Sequence, residues 1–416
     1  MNRIMRFVLG IMTFLGLYAS SLNAVPVIYK LIDSSLGGEV DQIRGVSSAI
    51  IQKFKDEGKA GPDVTDDLDL KGKSPSEFNF SRLSDLPKNN PEAIFISSGT
   101  YGIRAFRMLK ESFHTEGIFV YVSHQIIGNE EDMSAVQLKS LVNVATFIVL
   151  PHHVFEISDP RAQALKDALV GSNTHLLQIT GVVHNMHAED LLKDYTNYKA
   201  EIPDAKKCML VILGGDVEKK EGGTWTYYTP QEAEKLAQYV NGQMKEHPDL
   251  FVFVTNAPRT GRFDPRTGED AGFHQKGGPL DPVTAAFMKA LSNRDRVKLY
   301  NFEKGEPSFF KALLHKVNER KGVVLVPGES TSMISQVIDN TKFGSVILFT
   351  HGAMHEVHNA HVADEFKAGR VSLLEASDAS YDFSGLEEGF SKDSILSSKV
   401  VADAIWEFIQ EQKKKS

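Results

Sequence analysis

The sequence predicts an α/β protein made of two doubly wound, parallel-sheet, Rossmann-like domains facing a cleft. Three observations point there. Apolar, β-branched runs alternate with helical patterns from Val27 to Leu150, and again from Met209 to Phe349. The strand-like runs end in Gly, Ser or Pro turns, as a parallel strand does where it hands over to a crossover helix. The stretch Lys321–Phe349 shows one complete unit. Strand Val323–Val326 stops at Pro327-Gly328; a helical pattern follows with Met333, Ile334, Val337 and Ile338 on one face, and strand Ser345–Phe349 closes it.

In chain order, residues 1–24 stand apart. Arg3 and Arg6 precede the apolar run Phe7–Leu17, and small and polar residues lead to Ala24. That is the layout of a secretory signal peptide, with an apolar core shorter than a bilayer span. It predicts export to a periplasm or beyond. An uncleaved membrane anchor is the alternative, because Leu22 is large for its place before the cut.

Residues 25–200 read as the first Rossmann-like domain. Strand Val27–Ile32 leads through Asp33–Gly38 to an amphipathic helix, Glu39–Lys55, with Val40, Ile43, Val46, Ile50 and Phe54 in line. Asp56–Asn90 turns polar and reads as a surface excursion low in structure. Strand Ala93–Ser97, turn Ser98-Gly99-Thr100, helix Tyr101–Glu111 and strand Ile118–Val122 follow. Further strands fall at Ala145–Leu150 and His175–Ile179, and a small helix at Ala188–Lys193.

After the polar segment Lys193–Lys207, residues 205–375 read as the second domain. Strand Met209–Leu213 ends in Gly214-Gly215-Asp216, and Pro230 opens a helix reaching Lys245. Strand Leu250–Thr255, loop Asn256–Gly278, helix Pro282–Leu291, strand Val297–Tyr300 and helix Ser308–Val317 precede the unit described first. Residues 393–413 read as a terminal helix.

Composition sets limits. At 416 residues the chain exceeds one compact core, and 42% hydrophobic with 24% charged residues is ordinary for a globular protein. A net charge of −8 without a basic stripe excludes non-specific nucleic-acid binding. The single cysteine, Cys208, excludes an intramolecular disulfide and reads as a small buried hydrophobe. No H-E-x-x-H, G-x-S-x-G or P-loop motif occurs.

Open parallel sheets bind ligands off the carboxyl ends of their strands. Gly37, Gly38, Gly99, Gly214, Gly215 and the cluster Ser330-Thr331-Ser332 all sit at such ends. Ser330–Ser332 precede a helix whose first N–H groups and dipole favour an anion, although the same residues also suit an ordinary cap. Arg259, with Thr260 beside it, follows another strand end and offers a guanidinium to phosphate or carboxylate, or to solvent alone. Glu329, Asp216 and His184 are the candidate bases. His351, His355, His358 and His361 have zinc-like spacing if helical, and otherwise read as a polar loop and helix. No cofactor is implied.

Several pieces in order resemble the mitochondrial-fission family of plant and bacterial elongated-mitochondria-like proteins, over roughly Val27–Arg370. Gly37-Gly38 with Gln42, Ile94–Gly99, Phe147–His153, Thr180–His184 and Gly214-Gly215 match its pattern. Its Ser-Arg-Arg-Thr-Pro stands here as Asn256–Thr260. Its most specific element stands as Pro327–Gln336, keeping Ser330, Ser332 and Met333, with Glu329 for its Asp and Gln336 for its closing Glu. Phe366, Gly369 and Arg370 resemble its downstream helix end. The resemblance implies the architecture of B-type glycosyltransferases and nucleotide-sugar epimerases. It further implies a nucleotide-diphosphate sugar or similar phosphorylated ligand held by Gly37, Gly38, Gln42, Gly99, Gly214, Gly215, Arg259, Thr260 and Ser330–Ser332. A non-catalytic, protein-binding role on the same fold is the alternative it carries.

Overall fold

The computed structural model describes residues 26–71, 83–84, 86, 90–126, 135–218, 224–341, 345–377, 381–384 and 396–415. The segment read as a signal peptide lies outside the described residues. Among the described residues no helix is long and apolar enough to cross a membrane.

The first domain runs β1 (Val27–Ile32), α1 (Gly37–Asp56), β2 (Asp63–Val64), β3 (Leu68–Asp69), β4 (Ile94–Ser97), α2 (Gly99–Arg107), β5 (Ile118–Val122), α3 (Ala135–Val144), β6 (Phe147–Pro151), α4 (Pro160–Leu169) and β7 (His175–Ile179). Its parallel sheet has the order β2-β1-β4-β5-β6-β7, with β3 also on β1. β4, β5 and β6 are buried throughout, which is why they read as unbroken apolar runs. The stretch expected to be low in structure contains β2 and β3. Each is two residues long and none of their side chains is buried, so no apolar pattern announces them.

The second domain runs α5 (Ala188–Tyr198), β8 (Lys207–Ile212), β9 (Val217–Glu218), β10 (Trp225–Thr226), α6 (Pro230–Glu246), β11 (Leu250–Thr255), α7 (Pro282–Ala290), β12 (Val297–Tyr300), α8 (Phe310–Glu319), β13 (Val323–Pro327), α9 (Thr331–Asn340), β14 (Ser345–Phe349), α10 (Glu356–Lys367), β15 (Ser372–Ala376) and β16 (Tyr381–Ser384); α11 (Ser397–Lys415) ends the chain. The sheet order is β12-β11-β8-β13-β14-β15-β16, parallel except for β16. From β8 the chain builds outward through β11 and β12, then returns to add β13 on β8's other edge. The order therefore reverses between β8 and β13, and the loops leaving those two strands diverge to form the crevice where such sheets take ligands.

Helix starts follow their capping chemistry. Thr229 and Glu232 cap α6 reciprocally with Pro230 in its first turn, and Asp281 accepts from Thr284 N–H at 2.9 Å to start α7. Each cap contributes about 1 kcal/mol.

Helices cover both faces of both sheets. In the second domain α6 and α7 pack on one face, and α8 and α9 on the other. One allegiance differs from the expected limit of 25–200, and the helix expected over 393–413 finds its place in the first domain. Met186, Leu191 and Ile202 pack in the second domain's core, so the chain crosses between domains near Thr180–His184. α11 belongs to the first domain: Val401, Ala402, Ile405 and Ile409 pack with Ile28, Val40, Ile43 and Ile94, opposite the face covered by α2, α3 and α4.

Candidate functional site

At the reversal point the turn after β13 is built around a buried carboxylate. Glu329 Oε1 accepts from Gly215 N–H at 2.7 Å, and Glu329 Oε2 meets His351 Nε2 at 2.6 Å. His351 Nδ1 accepts from Ala353 N–H at 3.3 Å, so its proton is on Nε2 and it donates to Glu329. Burial alone would push the Glu329 carboxyl up, but the His351 ring, the Gly215 N–H and the Arg259 guanidinium outweigh it and hold it below the ordinary value. Glu329 is thus a buried anion that ties the turn after β13 to the turn after β8.

Turning Glu329 inward leaves Ser330, Thr331 and Ser332 facing outward. They line a cavity of about 390 Å³ between the domains. The Ser330 side chain makes no capping bond to the first turn of α9, which leaves that turn's orphan N–H groups and the positive end of its dipole without a side-chain cap among the described residues.

Arg259 reaches the same cavity from the loop after β11. Asn256 anchors that loop: its Nδ2 donates to Asp281 Oδ2 (3.1 Å), Thr284 Oγ1 (3.0 Å) and Asn301 Oδ1 (2.9 Å), while its Oδ1 accepts from Phe302 N–H (2.6 Å). Asp216 N–H donates to Arg259 O at 2.9 Å. Gly215 lies so close that a Cβ there would stand 2.9 Å from Arg259 Cβ. Among the described residues no carboxylate is ion-paired with the Arg259 guanidinium. An unpaired, half-buried guanidinium beside an uncapped helix N-terminus is a receptor for a phosphate-like anion.

The rest of the wall is polar. His124 and Gln125, just past β5, come from the first domain; Val217, Glu218, His355, Val357 and His358 come from the second. Burial, then the neighbouring His355 and Arg259, drive the His358 ring down to about 2, so it stays neutral.

The candidate bases lie elsewhere or are occupied. Glu329 is held as described. Asp216 is buried and accepts from Tyr228 N–H (3.3 Å) and Phe263 N–H (3.1 Å), organising its own loop; burial raises it to about 6 against those bonds. His184 sits at the interdomain linker, accepting from Met186 N–H on Nδ1 (3.2 Å) and presenting Nε2 to Asp339 Oδ2 (3.2 Å). That linker is gripped throughout. Val182 N–H donates to Ser335 Oγ at 2.8 Å, Arg370 Nη1 donates to Thr180 O at 3.1 Å, and Ser397 Oγ also donates to Thr180 O.

Among the candidate binding residues, Arg259 and Ser330–Ser332 share the cavity wall, and Gly215 backs it. Thr260 is fully buried, accepting from Ala257 N–H at 3.0 Å, and faces no ligand. At Gly214 a Cβ would meet His351 and Tyr228, so this glycine serves packing. Gly37 and Gly38 open α1, where Asp33 accepts from Ser35 and Asp69 accepts from Ser34, an acidic turn. Gly99 is closed by Glu39, whose Oε2 would stand 2.5 Å from a Cβ there. Gln42 reaches the cavity wall only through His124.

The four spaced histidines do not converge. α10 begins at Glu356, so His351 and His355 precede it. His351 binds Glu329, the His355 and His358 rings stack at 3.8 Å, and His361 meets His153 of the first domain at 3.2 Å. Among the described residues no group of three or more His, Cys, Asp or Glu side chains could hold a metal ion. Gln336, where the fission family has Glu, donates to Asp41 of α1 at 3.2 Å across the domains. A carboxylate there would face Asp41 with like charge.

His124, Gln125 and Glu218 escaped the sequence reasoning. The rule that singled out Gly99 and Gly215 reaches them too, since His124 lies two residues beyond β5 and Glu218 follows the Gly214–Asp216 turn.

No protein-family model matches the chain, and none of the curated proteins does. Solved structures do. A putative UDP-N-acetylglucosamine 2-epimerase of Listeria monocytogenes is 11% identical, with a TM-score of 0.50 over 94% of this chain and 98% of that one. An α,α-trehalose 6-phosphate synthase of Burkholderia multivorans is 12% identical, with a TM-score of 0.41 over 81% and 73%. A UGT transferase of Siraitia grosvenorii, solved with UDP, is 8% identical, with a TM-score of 0.41 over 94% and 92%. The fold is a two-domain, Rossmann-like fold shared with that putative epimerase.

Proposed function

We propose that the interdomain cavity binds a nucleotide-diphosphate sugar, or a similar phosphorylated ligand, and that the protein performs glycosyl transfer or epimerisation on it. One observation carries this reading: the uncapped α9 N-terminus and the unpaired Arg259 face the same cavity at the point where the strand order reverses. The N–H groups of Thr331 and Ser332 and the Arg259 fork would hold the diphosphate. Fixed donors aimed at a leaving diphosphate stabilise the charge that develops on it, the largest contribution such a site makes to group transfer. The fission-family pattern is compatible with it, because Arg259 and Ser330–Ser332 line this cavity and Gly215 packs against Arg259.

Titration calorimetry with UDP-N-acetylglucosamine and UDP tests the proposal. Micromolar to millimolar binding is expected, weakened about 10-fold or more by Arg259→Ala, since a charge-assisted hydrogen bond contributes about 1.5–3 kcal/mol. Absence of binding at millimolar ligand would overturn it.

A second reading has its own support. The three sequence-derived candidate bases are engaged in structural bonds, which suits a non-catalytic interaction protein of the fission-like family, acting on an envelope or host component. Binding without consumption of a panel of nucleotide sugars would favour it; turnover of any of them would exclude it.

A further inference from the structure

Beside the anion receptor, the cavity wall carries a group that cannot serve an anion. Glu218, the last residue of β9, lines the cavity and is exposed. Among the described residues its carboxylate has no hydrogen-bond or ion-pair partner. A carboxylate only accepts hydrogen bonds, and so do the oxygens of an ionised phosphate, so the two repel and no hydrogen bond joins them. Glu329 avoids the conflict by turning inward, and Glu218 does not. Its partner in a ligand is therefore a hydroxyl or an N–H.

An aromatic pair adjoins it. β9 and β10 are antiparallel with Glu218 directly opposite Trp225, which puts both side chains on one face of the hairpin. The other face is fastened down: Val217 packs in the second domain's core, and Thr226 Oγ1 donates to Ala353 O at 2.9 Å. The Trp225 indole stacks on Phe263, with ring centres 3.9 Å apart and planes 23° from parallel. Phe263 is fixed in turn, because its N–H donates to Asp216 Oδ2 at 3.1 Å and the Arg262 guanidinium lies 5.0 Å from its ring. Both rings are only half-buried, and neither belongs to the hydrophobic cores formed by the described residues. A fixed aromatic pair kept out of the cores, beside an unpaired carboxylate, matches the two sides of a pyranose. Hydroxyls at the ring's edge suit the carboxylate, and the weakly positive C–H groups on its face suit the negative face of an indole.

We propose that Glu218 and Trp225 form a subsite for the glycosyl ring of the ligand, next to the receptor for its diphosphate, and that Glu218 makes the cavity prefer a sugar diphosphate to a bare one. The proposal rests on the cavity being a phosphorylated-ligand site, and it adds which part of the ligand each wall reads.

Pyrophosphate, UDP, UDP-glucose and UDP-N-acetylglucosamine are titrated by calorimetry into the wild type, Glu218→Gln and Trp225→Leu, with thermal melts to establish that each variant is folded. Glu218→Gln should move the probes in opposite directions. At least one of the two UDP sugars should bind about 10-fold more weakly, through loss of a charge-assisted hydrogen bond, and pyrophosphate about 3-fold more tightly, through loss of a nearby like charge. Trp225→Leu should weaken the same UDP sugar about 5-fold and leave UDP and pyrophosphate within about 2-fold of wild type. Equal losses for UDP and the UDP sugars would put the nucleoside at Glu218 and overturn the assignment. Trp225 is one of two tryptophans, the other being Trp406 in the first domain. In Trp406→Phe the remaining indole fluorescence should respond to the UDP sugar and not to UDP, and an equal response to both would again overturn the subsite. A wild type that binds none of the probes would sink the functional reading. A wild type that binds pyrophosphate and UDP, with the UDP sugars unmoved by either variant, would sink the subsite alone.

Discussion

The turn after β1 and the turn after β13 share one local build, a buried strand, a Gly- and Ser-containing turn and a helix, yet their electrostatics are opposite. After β1 the polar groups of the turn are spent on carboxylates: Ser35 on Asp33, Ser34 on Asp69. Glu39 then covers the start of α2 at Gly99. After β13 the only acid of the turn, Glu329, points inward to Gly215 and His351, and Arg259 faces outward. Glycine at a strand end allows a ligand to approach the backbone, but the placement of nearby carboxylates decides whether an anion is welcome.

The strongest way to break this contrast is Glu329→Ala. It strands two buried donors, the Gly215 N–H and the His351 Nε2–H, and should destabilise the fold by about 2–5 kcal/mol in urea unfolding. A loss under about 1 kcal/mol would mean that the backbone alone holds the two turns together.

Gly99→Ala comes next. At φ +66° with Glu39 oxygens within reach, an added methyl should cost about 1–3 kcal/mol by the same measurement, because strain and contact act together. A neutral result would show that Glu39 leaves Gly99 freely, reopening the α2 N-terminus to anions.

A smaller effect separates the two acids by pH. Burial, with Asp33 adding, raises Glu39 to about 7, whereas Glu329 is held below the ordinary value of 4.5. Glu39 therefore contributes stability below about pH 4.5 that is lost as pH rises through about 7. Glu329 contributes above pH 4.5, and loses that contribution as pH falls through its own lowered value. Relative to wild type, Glu39→Gln should gain stability between pH 5 and 8, and Glu329→Gln should recover some below pH 4.5. Parallel pH trends for the two variants in thermal melts would remove the contrast.

Most of the fold was legible because strands buried on both faces read as continuous apolar runs, and because βα turns are marked by Gly, Ser and Pro. The Ser330 cluster and Arg259 followed from the rule that such turns sit at strand ends. The direction of each side chain was not legible. Glu329 turns inward because of His351, 22 residues away, and Gly215, 114 residues away, and no local pattern carries that information. The histidine spacing left zinc and a polar loop and helix both open, and the second reading holds for His351 and His355, which precede the helix. The sequence likewise placed a terminal helix over residues 393–413 without showing which sheet it covers.

That last helix has a consequence for the order in which the protein can be made. The second domain, from Met186 to Ser384, is one continuous piece of chain and can complete its sheet as soon as it has been synthesised. The first domain's strands all lie between Val27 and Ile179, but the sheet face holding Ile28 and Ile94 is covered only in part, by α1, until α11 arrives with Val401, Ile405 and Ile409. Trp406, edge-on to Phe54 at 4.7 Å, marks the moment of closure, and its fluorescence in refolding should change after the second domain has formed. A single early phase for both domains would refute that order. The half of the protein that is translated first should thus be the half that finishes folding last.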